Sequence, residues 1–550
     1  MTWYNPNQAT PAGQCDTAPT WDSANSVGYC GWGEDWADTM LGASEDLVSR
    51  PIGQANVLTA IATNGATTTL TFAAPWHHAF RVSHAADLAR ISDTGQLYTG
   101  IGIENLTVAN GGGGDGGGNI VYWELTNSWI KNVESYNSNG GAIHFVGCFR
   151  CELRDSYLHT AGNPNPGGGG YGMEIDAYTS DSLFENNISW SFNKVMVMRD
   201  AGGGNVIGYN YFEDGYGAGY GGCEYGSDIG SVDPQGGQPY TGTCSGIPEA
   251  GMNATHMTGT QYALFEGNQS FNIAADGTWG NATYITFFRN HAPSIRRNVN
   301  NGTGTDTGDN TAGSQAPCST FSCFGPVVQL ADSMGRNAIG LTNHQWWYSY
   351  VGNVLGYPNN YLQTSAIGYP YPATFSAAPG SATWFYEWNG VYNGGAAPGQ
   401  NPQEYWTSTL WILGNGDTNA ADAPSTLPGA GGQTVLNTLL RDGNFDYVTK
   451  KTLWMGSNNI CNAPGDAACT ATNTGNICTD QNLCAGQYTT PPAVSTLPNS
   501  LYIPASMQPP PFFNGGAWPW VDGTNASNPL PGTLPARTRF DAGTPNIVPY

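Results

Sequence analysis

The sequence predicts an all-β protein, a right-handed parallel β-helix with three strands in each coil, and three observations support this fold class. First, a short pattern recurs: a large apolar residue, two variable residues, and then a residue, usually small or amide, that opens a turn. Second, the steps between the last residues of successive patterns are 27, 23, 31, 23, 58, 22 and 63, so that a step of 22 or 23 appears three times. Third, Gly, Asn and Thr take the place of Lys and Glu, which favours strands and turns over helices. The last residues of the pattern are Leu106, Val133, Ser156, Asn187, Asn210, Asn268, Asn290 and Asn353.

A unit of 22 or 23 residues is too short to bury an apolar face alone, so stacking of units about 4.8 Å apart is needed to form a core. Amide residues that recur at one turn position are typical of an asparagine ladder, in which each side chain bonds to the next coil. Leucine-rich repeats would need a helix in each repeat, and propeller blades would need about 40–45 residues. Neither alternative fits the pattern.

Charge is sparse and strongly acidic along the 550 residues, with 17 Lys and Arg against 41 Asp and Glu, a net charge of −24. Such a chain does not attract nucleic acid or an anionic membrane through its long-range field. No apolar run reaches the roughly 18–20 residues of a membrane span. The 18 Trp and 29 Tyr argue against disorder. We therefore expect a globular protein whose partner is neither nucleic acid nor a membrane; as a β-helix it is either a monomer or a chain that associates end to end.

The 12 cysteines fall mostly in local pairs, which predicts small disulfide clips on loops and a secreted, extracellular protein. The pair Cys148 and Cys151 also fits a redox or metal motif, although zinc needs four ligands and no second CxxC is present. Met1 leads directly into Trp3 without a leader peptide. Secretion therefore requires that a leader was removed or that the chain starts inside a longer precursor.

The repeat divides the chain into three parts. Residues 1–100 are expected to form an N-terminal cap and irregular β segment, which is truncated if a longer precursor exists. Residues 101–360 carry the β-helix with loop insertions at 214–255 and 291–340, and residues 361–550 continue the helix and end in a wrapping segment rich in Pro and aromatic residues. Within the last part, 433–441 (QTVLNTLLR) predicts a short helix.

Seven stretches carry a family resemblance. Together they resemble bacterial secreted right-handed parallel β-helix repeat proteins of the pectate-lyase-like superfamily, over about residues 50 to 540. This superfamily includes pectate and pectin lyases, polygalacturonases and other glycoside hydrolases, esterases, epimerases and phage tailspikes, so the resemblance implies the fold more specifically than the chemistry. Its members usually carry an additional N-terminal segment that is missing here. The stretches are FRCELRDSYLH (149–159), YGMEI (171–175), GGGNVIGYNYF (202–212), LFEGN (264–268), FFRN (287–290), LLRDGNFDYVT (439–449) and LPNSLYIP (497–504).

Alternation within the strands that precede the ladder positions predicts a catalytic strip on one outer sheet. In Gly141–Val146, His144 alternates with apolar neighbours and should point outward, and Glu174 and Asp176 should do the same on the next coil. The following coils should add further titratable groups to the strip. The predicted catalytic residues are His144, Glu174, Asp176, Arg199, Asp200 and His256, and the predicted substrate-binding residues are Asp276, Trp279, Trp190 and Trp346.

Paired carboxylates favour a secreted polysaccharide-degrading glycoside hydrolase. Strand and coil spacings of about 6.6 Å and about 4.8 Å could supply the roughly 6.5–9.5 Å separation of an inverting enzyme. A pectate-type polysaccharide lyase is the second expectation; the resemblance implies an Arg or Lys base, for which Arg199 and Lys194 are available, and Ca²⁺ on carboxylates to neutralise a uronate. The −24 charge favours a neutral or weakly charged glycan. A solvated outer face without chemistry would indicate instead an adhesin, a glycan-binding surface protein or a filament subunit.

Overall fold

The computed structural model describes the β-helix and the segment that wraps it. The described residues are 2–3, 21–22, 27–28, 52–78, 88, 98–112, 117–162, 170–192, 194–215, 251–256, 259–275, 282–293, 338–342, 345, 347–356, 385–387, 411–415, 439–447, 451–453 and 496–545. Predicted site residues Asp276, Trp279 and Trp346 lie outside them, as do the cysteines other than Cys148 and Cys151.

Three long sheets form the sides of a right-handed parallel β-helix, which confirms the predicted fold class. In each coil the chain passes through sheet A, sheet B and sheet C in turn. Sheet A contains Gly102–Glu104, Trp129–Lys131, Glu152–Arg154, Leu183–Glu185, Val206–Gly208, Leu264–Glu266, Thr286–Phe288, Ser349–Val351 and Leu440–Asp442. Sheet B contains Thr107–Ala109, Glu134–Ser138, Tyr157–Ala161, Ile188–Phe192, Tyr211–Gly215, Gln269–Ser270, His291–Ala292, Val354–Leu355, Asn444–Asp446 and the antiparallel Lys451–Leu453. Sheet C contains Gly118–Trp123, Gly141–Val146, Tyr171–Asp176, Met196–Arg199, Met252–Asn253, Ile273–Ala275, Ile339–Thr342, Trp411–Asn415 and Phe385–Glu387.

Shorter elements lie beside this frame. Tyr98–Thr99 pairs in parallel with Leu125–Thr126, and Thr2–Trp3 pairs with Ile52–Gly53. Trp21–Asp22 pairs with Val27–Gly28, and the hairpin of Leu58–Asn64 and Thr67–Phe72 is largely exposed. The one α-helix in the described residues is Pro535–Asp541, and none of the helices there has the length and apolar character that a membrane crossing needs.

An asparagine ladder runs through the turn between sheets A and B, as the repeat predicts. In each step the backbone N–H and the side-chain Nδ2 of one asparagine both donate to Oδ1 of the next, at 2.8–3.1 Å. Each Nδ2 also donates to a backbone carbonyl of the preceding coil, as Asn268 does to Ile207. All members are buried, so the ladder satisfies backbone groups that water cannot reach. The ladder consists of Asn187, Asn210, Asn268, Asn290, Asn353 and Asn444.

The pattern in the sequence missed Asn444 because Arg441 occupies the apolar position that precedes it. Arg441 pairs in register with Tyr350, which belongs to the apolar core. Its guanidinium carbon lies 5.6 Å from the centroid of the Trp411 ring, so a cation–π contact stabilises the charge of Arg441. The strand Leu440–Asp442 also corrects the end of the helix predicted for 433–441, of which 433–438 lie outside the described residues.

Two further expectations are corrected by the coils. The predicted bounds of the insertions, 214–255 and 291–340, are too wide, because they include strands of the β-helix: Met252–Asn253, His291–Ala292 and Ile339–Thr342. Both insertions connect sheet B to sheet C.

Cys148 and Cys151 form no disulfide; both are free thiols in the apolar core, where cysteine packs as a small hydrophobic side chain.

The C-terminal strap, residues 496–545, covers the outer side of sheets A and B. Trp520 donates from its indole to the carbonyl of Gly267, and Arg539 donates to the backbone and side-chain oxygens of Asn186. Glu266 is fully buried beneath the strap, where the N–H of Leu501 donates to one of its carboxyl oxygens at 2.8 Å. Burial raises the pKa of Glu266 to about 7.

Replacing one ladder residue should destabilise the whole helix. Asn268→Ala removes the acceptor of two bonds and the donor of two more in a buried turn, so we expect the free energy of unfolding to fall by about 3 kcal/mol. Denaturant unfolding measures this change. Asn528→Ala, at an exposed position of the strap, is the matched control, and an equal loss in both variants would contradict the role of the ladder.

Docking of the strap should weaken as the pH rises. The pKa of Glu266 is raised from 4.5 to about 7, so its stabilising contribution is fully present below pH 4.5 and is lost as the pH rises through about 7. The melting temperature of the wild type, measured between about pH 5 and about pH 8, should therefore fall relative to that of Glu266→Gln. Curves that stay parallel over this range would show that folding does not raise the pKa of this carboxyl.

Candidate active site

Four titratable side chains meet on the outer face of sheet C, and we call them the charged cluster: His144, Glu174, Asp176 and Arg199. The parallel register pairs His144 with Glu174 and Asp176 with Arg199. Their apolar neighbours in the strands, such as Ile143 and Ile175, belong to the core. The period of two therefore directs the charged side chains outward, as the sequence predicts.

Arg199 holds the two carboxylates together. Its Nη2 donates to Oε2 of Glu174 at 2.6 Å and to Oδ2 of Asp176 at 2.5 Å, and its Nε donates to both oxygens of Asp176. Because one nitrogen bonds to both carboxylates, these groups cannot have the roughly 6.5–9.5 Å separation of an inverting glycosidase. Candidate ligand atoms of His144, Glu174 and Asp176 all lie within 4.8 Å of one another.

Asp176 is also the partner of His144, whose Nε2 lies 2.7 Å from Oδ2 of Asp176. Burial alone would lower the pKa of His144, but the carboxylates of Glu174 and Asp176 outweigh it and raise that pKa above 6.5. For Asp176, burial opposes ionisation, yet the charges of Arg199 and His144 lower its pKa. Nδ1 of His144 has no hydrogen-bond partner within the described part of the chain.

The charged cluster is buried, which corrects the expectation of an open strip. His144, Glu174, Asp176 and Arg199 are all at most 2 % exposed. Alternation identifies the face of the sheet on which a side chain lies but not what covers that face, so burial could not be predicted. Isolated charges at this depth would be very costly, and their mutual pairing offsets that cost.

A second group of side chains adjoins the cluster on the same face. His256 accepts a hydrogen bond at Nδ1 from Nζ of Lys194 at 2.7 Å, and its ring forms a T-shaped contact with the Tyr171 ring at a centroid distance of 6.4 Å. The same Tyr171 ring lies 5.6 Å from the guanidinium carbon of Arg199. Tyr171 thus connects His256 and Lys194 to the charged cluster.

Sequence alternation missed Tyr171, because a period of two counted from Met173 and Ile175 points it into the core. The strands change sides near their start: Ala142 and Ile143 are adjacent in sequence and both belong to the core. Gly141, the register partner of Tyr171, lies beside the cluster, and a Cβ there would come within 2.3 Å of Oε1 of Glu174. The glycine at the first position of the strand was the available signal for this close approach.

Two other predicted residues take different positions. Asp200 lies in the turn after the strand, with a φ of 50°, where its carbonyl accepts a hydrogen bond from the N–H of Tyr178. Trp190 was predicted to bind substrate beside the strip, but it lies in sheet B, away from the cluster. There it is 1 % exposed, donates to the hydroxyl of Tyr157 and packs against Phe540 of the strap.

Calcium does not fit the charged cluster. His144, Glu174 and Asp176 form the one group of three metal-ligand side chains found in the described residues. However, Arg199 donates to both carboxylates and supplies the positive charge that a cation would bring. Ca²⁺ also prefers a shell of six to eight oxygens, which an imidazole and two arginine-bound carboxylates do not offer.

Comparisons with known proteins return low structural similarity. No protein-family model matches the chain, and no curated protein matches it. The A-module of mannuronan C-5 epimerase AlgE6 from Azotobacter vinelandii aligns over 48 % of this chain and 64 % of its own, at 12 % identity and a TM-score of 0.25. The AlgE4 A-module of the same organism gives 13 % identity and a TM-score of 0.24, and the tailspike protein gp49 of Pseudomonas phage LKA1 gives 9 % and 0.20. The aligned part spans less than two thirds of each of these proteins.

The carboxylates should control the titration of His144. In Asp176→Asn the imidazole loses its nearest negative charge, so its pKa should fall from above 6.5 toward or below the ordinary value. Histidine ring signals in NMR, recorded against pH, measure this shift. His159, whose pKa burial lowers, lies in sheet B and serves as an internal control. An unchanged titration of His144 in the variant would contradict its pairing with Asp176.

Proposed function

We propose that this protein is an enzyme that acts on acidic polysaccharide by abstracting the proton next to a uronate carboxylate. The observation that carries this proposal is the set of proton-transfer groups beside a guanidinium: His144 hydrogen-bonded to Asp176, and Tyr171 beside Arg199. Removal of such a proton needs a base and a nearby cation that stabilises the negative charge that develops.

His144 is the proposed base, and since it is buried, the proposed reaction requires that the glycan reach it in place of the residues that cover the outer face of sheet C. When its Nε2–H donates to Asp176, Nδ1 carries the lone pair, and Nδ1 has no partner among the described residues. Asp176 then sets the tautomer and stabilises the imidazolium, the role that a carboxylate has in other base–carboxylate pairs. A pKa raised above 6.5 moves the base toward neutral pH, where proton transfer is most effective.

The cations around the site favour an acidic sugar. Arg199 and Lys194 are cations on one face of a protein whose net charge is −24, and Lys194 is one of four lysines in the chain. Glu174 and Asp176 balance the charge of Arg199, so the argument for an acidic sugar over a neutral glycan depends on Lys194, because a pocket is governed by its nearest charges. Tyr171, whose ring lies beside Arg199 and His256, is the proposed group that exchanges the second proton. Abstraction can lead to elimination of the glycosidic oxygen or to return of the proton on the opposite face.

Hydrolysis by paired carboxylates has less support. An inverting hydrolase needs one carboxyl that stays protonated to donate to the leaving oxygen, and a wide gap for water. Here Glu174 and Asp176 share one arginine nitrogen, and the pKa of Asp176 is lowered. Both features favour ionised carboxylates that act on Arg199 and His144 rather than on the glycan.

Hydrogen exchange in D₂O tests the proposal directly. Polygalacturonate, polymannuronate and a neutral soluble β-glucan are incubated with the protein, and NMR follows deuterium at the carbon next to the carboxylate while absorbance follows unsaturated products. We expect deuterium exchange in a polyuronate and a decrease in its rate of about 100-fold or more in His144→Gln. The control variant Tyr136→Phe, which alters a tyrosine of sheet B, should keep the wild-type rate.

Two other outcomes of this experiment would overturn the proposal. New reducing ends from the β-glucan without deuterium would identify a hydrolase and overturn proton abstraction. An absence of reaction on every polymer, with retention on one of them, would overturn the enzymatic proposal and favour an adhesin or other glycan-binding surface protein.

We also propose that the protein acts outside the cell. The even number of cysteines in local pairs and the scarcity of lysine support this location, although Cys148 and Cys151 are free. Fractionation of cells that produce the protein should place it in the medium, and recovery in the cytoplasm would contradict this.

A further inference from the structure

Three aromatic side chains form a row along the turn between sheets C and A: Tyr262, Tyr284 and Trp347, here called the aromatic row. Each precedes the first residue of a sheet A strand by two positions, and those strands are register neighbours. The rings of Tyr262 and Tyr284 are parallel within 4° with centroids 5.0 Å apart, and those of Tyr284 and Trp347 are within 16° at 6.2 Å. The row therefore follows the helix axis, one ring per coil.

The backbone of the row is unusual for such large residues. Tyr262, Tyr284 and Trp347 have φ values of 48°, 59° and 65°, in the left-handed region that bulky side chains seldom adopt. On other coils the same turn position also has a positive φ, and the residues there are Gly100, Asn127, Arg150, Asp181 and Gly204. The conformation therefore belongs to the turn of each coil, and the row is distinguished by the large aromatic residues that occupy it on three successive coils.

The rims of the rings, rather than their faces, are presented to solvent. Because the rings stack on each other, their faces are largely covered, yet Tyr262 is 37 % exposed and the other two are partly exposed. Neither phenol hydroxyl, of Tyr262 or of Tyr284, forms a hydrogen bond with a described residue. The edge of an aromatic ring carries partial positive charge, and the phenol O–H adds a donor, so each coil offers an oxygen-binding edge.

The position of the row connects it with the proposed active site. Tyr262 lies six residues after His256 on the same coil, and the two following rings continue away from the charged cluster. Steps of about one coil, near 4.8 Å, resemble the length of one sugar unit in an extended glycan. A polymer that runs parallel to the helix axis would meet one ring edge for each sugar. Nucleic acid is disfavoured by the net charge of −24.

We propose that the aromatic row is a binding site for a linear polysaccharide, whose hydroxyl and carboxylate oxygens contact the ring edges and hydroxyls on successive coils. The class of ligand rests on the proposed function, but binding at the row does not require the chemistry at His144. The row would hold the polymer beyond the reacting sugar, which favours long chains over short ones.

Binding is tested in a His144→Gln background, so that turnover does not interfere. Affinity electrophoresis in gels that contain polygalacturonate, polymannuronate or soluble β-glucan gives the dissociation constant for each polymer. The double variant Tyr262→Asn and Tyr284→Asn keeps a residue type that this turn accepts at Asn127, and should lose about tenfold in affinity. Trp129→Ala removes a ring with the same 37 % exposure from sheet A and should change nothing.

A second pair of variants separates binding from folding. Tyr262→Phe with Tyr284→Phe keeps the stacked rings, removes only the two hydroxyls, and should weaken binding by about threefold with unchanged melting temperature. Unchanged affinity in the Asn double variant, or no binding of any polymer by the parent, overturns the inference. Deuterium exchange is measured separately on the wild type, so failure of the row and failure of the proposed reaction are distinguishable.

Discussion

The hydrogen bonds from one buried asparagine to the next hold the structure in register. Each step of the ladder joins two coils through the same Oδ1 atom, so an error in coil length of a single residue would break several buried bonds at once. Because the register is fixed there, strands of sheet C some ten residues earlier in each coil are aligned as well. The pairing of His144 with Glu174, and of Asp176 with Arg199, is a result of this alignment.

The four residues of the charged cluster stabilise one another. His144, Glu174, Asp176 and Arg199 are nearly inaccessible to water, and the protein as a whole is strongly acidic. Arg199 forms hydrogen bonds with both carboxylates, and Asp176 forms them with both Arg199 and His144. Each charge therefore has an opposite partner within hydrogen-bond distance. Removing one member leaves an uncompensated buried charge. This mutual dependence links the stability of the outer face of sheet C to the groups proposed to move a proton.

The sequence predicted the fold well because the repeat is a direct record of coil length and ladder position. It predicted the face of the charged cluster through the alternation of side chains, but not its burial, because alternation carries no information about covering segments. Trp190 was misjudged for the same reason, since residues far away in sequence, including Phe540, cover it. Tyr171 was missed because the strand changes sides near Gly141, and Asn444 because Arg441 replaces an apolar residue.

Both long insertions leave sheet B and return to sheet C, at the edge of the sheet that carries the charged cluster. The ladder lies at a different corner, between sheets A and B, so the length of these insertions has no effect on its hydrogen bonds. Chain length can therefore vary beside the cluster while the coils keep their geometry. Such a division lets an ancestral scaffold acquire new substrate preferences through loop exchange, without selection having to repair the core each time.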